Sequence, residues 1–417
     1  MTAFMLVSAC RAGFDFQDNG TPDLEEVGDE NCGDGVLLAA ENCDDGNTVN
    51  GDGCSARCNV EQGYRCADAP SECTVVVQVQ SGVATIAGGA TDTVVDVPSP
   101  VAPDHSVLFF NVTHNGLDPD NGQVTGRLSD DGSAVIFERP NLGSFPVTID
   151  IQWSVVESQE WLVQRGRTLL TDPATTLDVP LPTPVADVTR AFATATARMP
   201  GSSYGRTDWA LVRLLDESTL QFDRTPSACC DATVDWQVVE FVADTDALVQ
   251  RGGLRLETLQ TSASVTLPQQ ASMDRSFMLF TQNVVGTIDL SAADAGVRGD
   301  IRSDTELYFE RHAGAEAIDV SWFVVTWAQV RAQHYSASFA NDVDDRVIEL
   351  DPRVDRDPSV SFLPGMMRQG SSPYLLDSRM GLCWFTTRIE NDGADLRIHR
   401  GDTGEVGEAF ATVLDFR

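Results

Sequence analysis

The sequence predicts an all-β protein in which tandem antiparallel β-sandwich units, about four in number, follow a small disulfide-rich module. Two observations lead to this fold class: a strand pattern centred on tryptophan recurs through residues 74–417, and six of the ten cysteines fall within residues 32–73. The composition agrees, because 33 glycines, 19 prolines and only 22% charged residues are typical of short strands joined by turns.

The tryptophan-centred strand defines the repeating unit. It occurs as IDIQWSVVE, TVDWQVVEF and IDVSWFVVT, around Trp153, Trp236 and Trp322. In each copy a hydrophobic residue lies two positions before and two after the tryptophan, and this period of two puts all three side chains on one face of a strand. Burying a tryptophan removes roughly 150–250 Å² from water, which is enough to anchor a small domain. In the last unit the weaker segment EAFATVLDF predicts Phe410 in the place of the tryptophan.

Other landmarks return in the same order around this strand. A segment ending in VQxG opens the first three units, at residues 79–82, 163–166 and 249–252, with a degenerate VRAQ at 330–333. After each comes an alternating strand that stops at a proline, namely Pro98, Pro180, Pro268 and Pro352. Proline lacks the amide donor that a β-ladder needs, so it marks the end or the edge of a strand.

A hairpin that ends in arginine follows in every unit. The four copies read RLSDDGSAVIFER, RLLDESTLQFDR, IRSDTELYFER and RIENDGADLRIHR, each a strand, a turn and a strand. Their terminal arginines are Arg139, Arg224, Arg311 and Arg400. A guanidinium on the apolar face at a strand end can be presented to an acidic ligand or can clamp a neighbouring loop. We predict these four arginines as ligand-binding residues, with the structural clamp as the alternative.

These landmarks place the unit boundaries near residues 160, 245 and 328. The predicted sandwich units are residues 74–160, 161–244, 245–327 and a degenerate 328–417. Units of about 85 residues with about six strands are too large for solenoid repeats and suit antiparallel sandwiches joined in series.

The cysteine-rich module occupies residues 31–73. Its few aliphatic residues cannot form a stable core, so disulfides must supply the stability, roughly 2–4 kcal/mol for each bridge. The predicted disulfide cysteines are Cys32, Cys43, Cys54, Cys58, Cys66 and Cys73, which allow 15 connectivities. The run CGDG, ENCDDGN, GDGCSARC and EQGYRC resembles the Myxococcus-type cysteine-rich disulfide repeat and, more loosely, the Notch-type repeat. The resemblance implies a surface or secreted protein.

Hard oxygen ligands accompany the glycines of this module. The predicted calcium ligands are Asp34, Asp44, Asp45, Asn47 and Asp52, because calcium prefers such oxygens and Notch-type repeats bind it. The alternative is turn chemistry, since Asp, Asn and Gly are also the ordinary residues of tight turns. Zinc is disfavoured, because the module has no histidine and exported thiols become oxidised.

The N-terminal segment suggests export with a lipid anchor. LVSAC at residues 6–10 resembles the lipobox of bacterial lipoproteins, which implies lipidation of Cys10 after signal cleavage. The apolar stretch is short and lacks a basic start, so residues 1–10 read as a truncated lipoprotein signal, and a chance cysteine after an apolar leader is the alternative. Residues 11–30 are polar and acidic, as expected of a flexible tether.

The charge balance excludes some partner classes. There are 63 acidic and 28 basic residues, and the net charge is −35. A field of this sign repels nucleic acids and anionic lipid headgroups. No other apolar run approaches the roughly 18 residues of a transmembrane helix, so we expect the lipid to be the only anchor in the membrane.

These features predict a non-enzymatic lipoprotein of the outer membrane or cell surface that acts in binding or adhesion to a carbohydrate or protein. The proline-ended strand, SFxLF strand and final VxWxV strand resemble the H-type lectin domain, a sandwich that binds sugars. One alternative is an interaction scaffold that only spaces a partner from the membrane. A second is a serine hydrolase, because GSSYG at residues 201–205 fits the GxSxG pattern with Ser203 as nucleophile, although that elbow requires a strand before it and a helix after it.

Three cysteines lie outside the module and the signal. Cys229 and Cys230 are adjacent, and Cys383 lies in the last unit. A vicinal bridge, a bond to Cys383 and free thiols all remain open, with one of the three thiols left over.

Overall fold

The structure is a computed structural model that describes most of the chain after residue 31. The described residues are 32–50, 52–61, 63–114, 123–140, 147–200, 209–225, 230–243, 245–286, 296–311, 316–340, 342–354, 358–363, 385–401, 403 and 407–416. Contacts divide the chain into two compact units. One contains residues up to Val60 with Cys66–Cys73, and the other contains Glu61–Arg65 with Thr74–Arg417.

The cysteine-rich module is held by three disulfides, as predicted. They join Cys32 to Cys58, Cys43 to Cys54, and Cys66 to Cys73. The third disulfide lies between the two short strands β1 (Tyr64–Ala67) and β2 (Glu72–Val75). Cys43, Cys54 and Cys58 are fully buried and form the small core of this module, so disulfide sulfur takes the place of aliphatic side chains.

The remaining strands fall into four sets of six, which we number repeat 1 to repeat 4 after the predicted units. Repeat 1 contains β3 (Val77–Ile86), β4 (Asp92–Asp96), β5 (Ser106–His114), β6 (Thr125–Leu128), β7 (Ala134–Glu138) and β8 (Ile149–Ser158). Repeat 2 contains β9 (Trp161–Leu170), β10 (Thr176–Pro180), β11 (Ala191–Arg198), β12 (Leu211–Leu214), β13 (Thr219–Asp223) and β14 (Ala232–Phe241).

Repeats 3 and 4 follow the same order. Repeat 3 contains β15 (Ala247–Leu256), β16 (Ser262–Thr266), β17 (Ser276–Val285), β18 (Val297–Ser303), β19 (Glu306–Arg311) and β20 (Ala317–Trp327). Repeat 4 contains β21 (Val330–Phe339), β22 (Asp345–Glu349), β23 (Ser359–Phe362), β24 (Phe385–Glu390), β25 (Asp395–Arg400) and β26 (Gly407–Phe416). Short 3-10 helices precede the third strand in repeats 1 to 3, at Pro103–His105, Val188–Arg190 and Met273–Arg275.

Each repeat is a sandwich of two three-stranded antiparallel sheets. The first, sixth and third strands form one sheet, which we call the inner sheet, and the second, fifth and fourth strands form the other, the outer sheet. The predicted fold class is therefore confirmed. The second strand ends at its predicted proline in repeat 2 and two or three residues before it in the other repeats. The predicted hairpins are the fourth and fifth strands.

No helix in the described part of the chain is long and apolar enough to cross a membrane.

A tryptophan faces a glycine across the inner sheet of the first three repeats. The opposed pairs are Gly82 with Trp153, Gly166 with Trp236, and Gly252 with Trp322. A Cβ atom added to any of these glycines would lie 2.5 Å from the indole ring. The glycine of VQxG is therefore required because the indole covers its backbone, and the two landmarks seen in the sequence are halves of one contact.

Repeat 4 reverses the sizes in this pair, and the prediction for Phe410 is wrong. The residues that face the sandwich core of this repeat include Ala409, Ala411 and Val413, so Phe410 points to the opposite side of β26. The residue in the tryptophan position is Ala411, and it pairs with Tyr335 on the first strand. The large aromatic side chain has moved to the neighbouring strand. A shift of one residue in a strand exchanges the two faces, which is why the sequence pattern misled.

The inner sheets of all four repeats bury their second faces in a shared core. One hydrophobic cluster joins the sandwich core of repeat 2 to side chains from the other three inner sheets. Phe109 of repeat 1 stacks on Phe362 of repeat 4 with ring centroids 5.5 Å apart, and Phe362 meets Phe277 of repeat 3 edge-on at 6.0 Å. Phe277 in turn meets Phe192 of repeat 2 at 6.2 Å. Residues 74–417 are thus one body with a common centre.

Hydrogen bonds and ion pairs between neighbours close this arrangement into a ring of contacts. Equivalent side chains on the third strands accept backbone N–H groups from another repeat: Thr196 from Gly126 at 3.3 Å, Thr281 from Val212 at 2.9 Å, and Asn111 from Leu363 at 3.4 Å. These bonds link repeats 2 and 1, 3 and 2, and 1 and 4. Repeats 3 and 4 are linked by an ion pair between Arg298 and Glu408 at 2.6 Å.

We expect Gly252→Ala to destabilise the protein by about 1–3 kcal/mol, because the new methyl group overlaps Trp322 in a packed core. Trp322→Ala alone should cost about 3–5 kcal/mol by leaving a cavity. In the double variant the methyl group enters that cavity, so the added cost of Gly252→Ala should vanish. Urea unfolding of the four proteins measures this coupling. Simple additivity of the two losses would contradict the proposed contact.

Candidate functional site

The four junctions between repeats differ at one position of the first strand. This position precedes the glycine that faces the tryptophan, or Tyr335 in repeat 4. At three junctions it holds a long, basic or imidazole side chain: Arg165, Arg251 and His334. At the junction between repeats 4 and 1 it holds Ser81.

Two of these long side chains, Arg165 and His334, bind carbonyl groups of the preceding repeat. Arg165 donates to the carbonyl oxygen of Ser106 at 2.6 Å and to that of Pro103. His334 Nε2 donates to the carbonyl oxygen of Met273 at 3.1 Å. Pro103 and Met273 start equivalent 3-10 helices. Burial lowers the pKa of Arg165 to about 10 and also lowers the pKa of His334.

At the fourth junction the described residues leave an open groove of about 370 Å³. This volume lies in the range of small-ligand sites, roughly 300–1,000 Å³. Repeat 1 contributes β3 and β8, and repeat 4 contributes β23 and β24. The polar lining residues are Ser81, Gln152, Ser154, Ser359, Ser361 and Arg388. No carboxylate is among the described lining residues, although the protein as a whole is strongly acidic.

The hydroxyl groups of the groove are held in place by the strands beneath them. Ser81 Oγ and Ser154 Oγ lie 2.7 Å apart across the paired strands β3 and β8. Ser359 Oγ donates to the buried carboxylate of Asp415 at 3.1 Å. Side chains on neighbouring strands of a sheet are well ordered, so the groove presents hydroxyls at defined positions.

Arg388 is the only cation that lines the groove within the described residues, and it has no ion-pair partner there. Its counterparts in repeats 1 and 2 do have partners, since Arg127 lies 3.7 Å from Glu138 and Arg213 pairs with Asp223. In repeat 4 the corresponding position before the terminal arginine of the hairpin holds His399 instead of an acid.

The residue opposite Arg388 on β25 is another arginine, Arg397. Arg397 is neutralised by Asp345, whose two carboxylate oxygens lie 2.7 and 2.8 Å from its guanidinium nitrogens. Like charges in directly opposed positions destabilise a sheet. Arg388 therefore offers a positive charge at the groove that the described protein does not neutralise.

A second cavity, of about 120 Å³, lies where the inner sheets meet. Its polar lining serves the structure. Gln237 pairs with the backbone of Leu108 through both of its amide atoms, at 2.9 and 3.0 Å, and Thr196 and Thr281 accept the inter-repeat bonds described above. Because these groups are already satisfied, the cavity is a weaker candidate than the junction groove.

The four predicted arginines do not lie at the groove. They are buried, with exposed fractions of 7%, 2%, 1% and 0% for Arg139, Arg224, Arg311 and Arg400. Arg139 donates to the carbonyl oxygens of Ala90, Val147 and Ala87 at 2.7, 2.6 and 3.1 Å. Burial lowers the pKa of Arg139. This is the geometry of a loop clamp, and it lends no support to ligand binding.

The clamp is repeated around the body. Arg311 binds the carbonyls of Gln260 and Glu257 at 2.8 and 2.7 Å, and Arg400 binds those of Val343 and Ala340 at 2.8 and 2.7 Å. Arg224 binds the Ala174 carbonyl at 3.3 Å and lies 3.8 Å from the carboxylate of Asp172. Each guanidinium thus fastens the turn between the first and second strands of its repeat.

The predicted calcium residues occupy local turns. Asp44 is fully buried, and its carboxylate accepts the amides of Gly33, Gly35 and Gly46 at 3.0, 2.9 and 2.9 Å. Burial raises its pKa, but the amide hydrogen bonds outweigh burial, and the pKa lies below its ordinary value.

The other four residues of that set have partners of their own. Asp34 accepts the Val36 amide at 2.9 Å, Asp45 the Asn47 amide at 3.3 Å, and Asp52 the Asn47 side-chain amide at 3.0 Å. Asn47 Oδ1 accepts the Val49 amide at 2.6 Å. In the described module the ligand-type atoms that come together belong to Glu41, Asp44 and Cys58, and Cys58 is in a disulfide. Turn chemistry accounts for these contacts, and calcium binding stays a prediction.

Several predicted residues lie outside the described part of the chain. They are Cys10, Ser203, Cys229 and Cys383, together with the tether at 11–30. Cys230 is disulfide-bonded, and its partner lies outside the described residues.

Sequence reasoning missed the groove because no motif marks it. One signal was present: the repeated opening segment reads VQRG in two units and VQSG in the first. The sequence alone does not show that Ser81 lies at a groove, because it does not show that repeat 1 contacts repeat 4.

In comparisons with known proteins, no family model matches the sequence, and no curated protein shows significant similarity to it.

We expect Arg311→Lys to lower the free energy of unfolding by about 1–3 kcal/mol, because an ammonium group cannot reach the spread carbonyls that the guanidinium binds. Arg255→Lys in the same repeat is the matched control. Arg255 is a half-exposed partner of Asp319, and its change should cost less than about 1 kcal/mol. Urea unfolding measures both. Equal losses would argue against the clamp.

We expect Asp44→Asn to loosen the cysteine-rich module, because the carboxamide can no longer accept amides on both of its terminal atoms. Reduction of the Cys32–Cys58 disulfide by dithiothreitol should be faster, as followed by alkylation and mass spectrometry, while Asp45→Asn should change little. The pKa of Asp44 is lower in the folded protein than in the unfolded chain, so its carboxylate stabilises the fold at pH values above the unfolded pKa, about 3.9. This contribution to the free energy of unfolding is lost as the pH falls through the folded pKa. Unchanged reduction rates in Asp44→Asn would contradict this role.

Proposed function

We propose that the protein is a non-enzymatic surface lipoprotein that binds a carbohydrate or protein ligand, and that the groove between repeats 4 and 1 is its binding site. The observation that carries this proposal is that one of the four junctions between repeats differs from the other three. Three junctions carry Arg165, Arg251 or His334 at this position, whereas the fourth presents Ser81 and an open, polar groove.

The groove has the features of a recognition surface. It lies between two repeats, where clefts form readily, and it combines ordered hydroxyls with an amide and a guanidinium. The apolar residue Val83 borders it and is 63% exposed. Such a mixture of polar and apolar groups suits a sugar, and the resemblance of the repeat to the H-type lectin domain points in the same direction.

The proposed location rests on the N-terminal region of the chain rather than on the groove. Three disulfides form in oxidising compartments, which fits an exported protein. The resemblance of residues 31–73 to the Myxococcus-type repeat and of LVSAC to a lipobox adds a bacterial surface and a lipid on Cys10 to this proposal. A calcium ion in the cysteine-rich module would only stiffen the module.

The scaffold alternative is less well supported. A spacer is best built from separate sandwich units that extend end to end, but the inner sheets of the four repeats share one core. The hydrolase alternative rests on Ser203 alone, which lies outside the described residues.

We expect the soluble Cys10→Ser chain, produced with its disulfides intact, to bind specific members of a glycan and matrix-protein array. The same substitution should release the protein from the membrane fraction of the producing cell, whereas the unsubstituted chain stays bound. A folded Cys10→Ser chain that captures no glycan and no protein would overturn the proposed binding function. Release of the unsubstituted chain would overturn the lipid anchor without affecting the binding result.

A further inference from the structure

We infer that the junction groove recognises a carbohydrate that carries a carboxylate, with Arg388 as the residue that binds the carboxylate. This inference rests on the proposed binding function and adds the chemical class of the ligand. Two departures from the repeat pattern meet at the groove: Ser81 stands where the other junctions have long side chains, and His399 stands where repeats 1 and 2 have the acid that pairs with the arginine.

The first departure creates space. Arg165 occupies the equivalent place between repeats 1 and 2, where it reaches the carbonyls of Pro103 and Ser106. Ser81 is too short to make these contacts, and its hydroxyl bonds instead to Ser154. The volume that an arginine would fill is left open to a ligand, and its wall carries hydroxyl groups.

The second departure creates charge. Glu138 lies 3.7 Å from Arg127 and Asp223 pairs with Arg213 at the equivalent position of repeats 1 and 2, but His399 offers no carboxylate to Arg388. His399 Nδ1 lies 3.2 Å from Asp345, which already pairs with Arg397. Arg388 is an exposed guanidinium without an acidic partner among the described residues, and such a group is a ready bidentate site for a carboxylate.

The rest of the lining favours a sugar over an acidic peptide. Ser81, Ser154 and Ser361, with the carboxamide of Gln152, offer donors and acceptors for ring hydroxyls. Peptide sites are enriched in aromatic anchors, and the described lining has no aromatic residue, its apolar members being Val79, Val83 and Ile389. Charge and hydroxyl chemistry together therefore point to hexuronic acid units, as found in polyuronic polysaccharides.

The test compares short oligomers of galacturonic acid with the same oligomers after reduction of their carboxyl groups. Calorimetric titration of the Cys10→Ser chain should show binding of the acidic oligomer that is roughly tenfold or more tighter than binding of the reduced one, since a hydrogen bond to a charged group contributes about 1.5–3 kcal/mol. Arg388→Gln should remove this preference. Arg346→Gln, an exposed arginine of the same repeat outside the groove, should retain it.

The variant Ser81→Arg distinguishes binding inside the groove from nonspecific attraction of the acidic oligomer to positive charge. The new arginine copies the residue of the repeat 1–2 junction, so the variant should fold with an unchanged or raised melting temperature. It adds positive charge and yet should abolish binding, because it fills the groove. Wild-type affinity for the acidic oligomer in folded Ser81→Arg, or in Arg388→Gln, would overturn the inference.

The outcomes also distinguish this inference from the function on which it rests. Capture of neutral glycans or of a protein on the array, with no preference for the acidic oligomer, would overturn the uronic acid inference and leave the binding function standing. Binding of an acidic peptide that competes at the groove would likewise overturn it. Absence of any captured ligand would remove the binding function itself.

Discussion

The contact between an indole ring and a glycine on the next strand is the constraint on which the body depends. It fixes the register of the first and sixth strands, because the tryptophan can lie flat only where the neighbouring residue has no side chain. The register then decides which residues enter the sandwich core and which enter the common centre. Repeat 4 keeps the same total bulk with Tyr335 and Ala411 exchanged in size, so the core requires one large and one small partner more than it requires tryptophan itself.

Local patterns were sufficient to predict the architecture of each repeat. A period of two around Trp236, prolines at strand ends and a hairpin turn are short-range signals, and they define six strands per repeat and their sheet faces. The disulfide framework followed from cysteine density, although the pairing did not. The error at Phe410 arose because the weak segment permits two alignments that differ by one residue, and only its pairing with β21 distinguishes them.

The groove could not be predicted in this way because it belongs to the assembly of repeats. Ser81 and Arg388 are more than 300 positions apart, and neither is unusual in its own segment. The two kinds of arginine show the same limit. Arg400 and Arg388 both lie on the outer sheet of repeat 4, yet one is enclosed by carbonyl oxygens and the other faces the groove, with no acid among the described lining residues. The sequence drew attention to Arg400 because an arginine recurs at that position in every repeat. Arg388 is distinguished only by a difference between repeat 4 and the other repeats.

Closure of the repeats on themselves has a consequence for how such a body can change during evolution. An open array can gain or lose a unit at its end at little cost, because only one interface is altered. Here the first and last repeats also touch, through Phe109 and Phe362 and through Asn111 and Leu363. Insertion of a fifth repeat would have to separate repeat 1 from repeat 4 and enlarge the shared core. The copy number is therefore set by geometry, and the contact between the first and last repeats is the one interface of the four that does not join consecutive repeats.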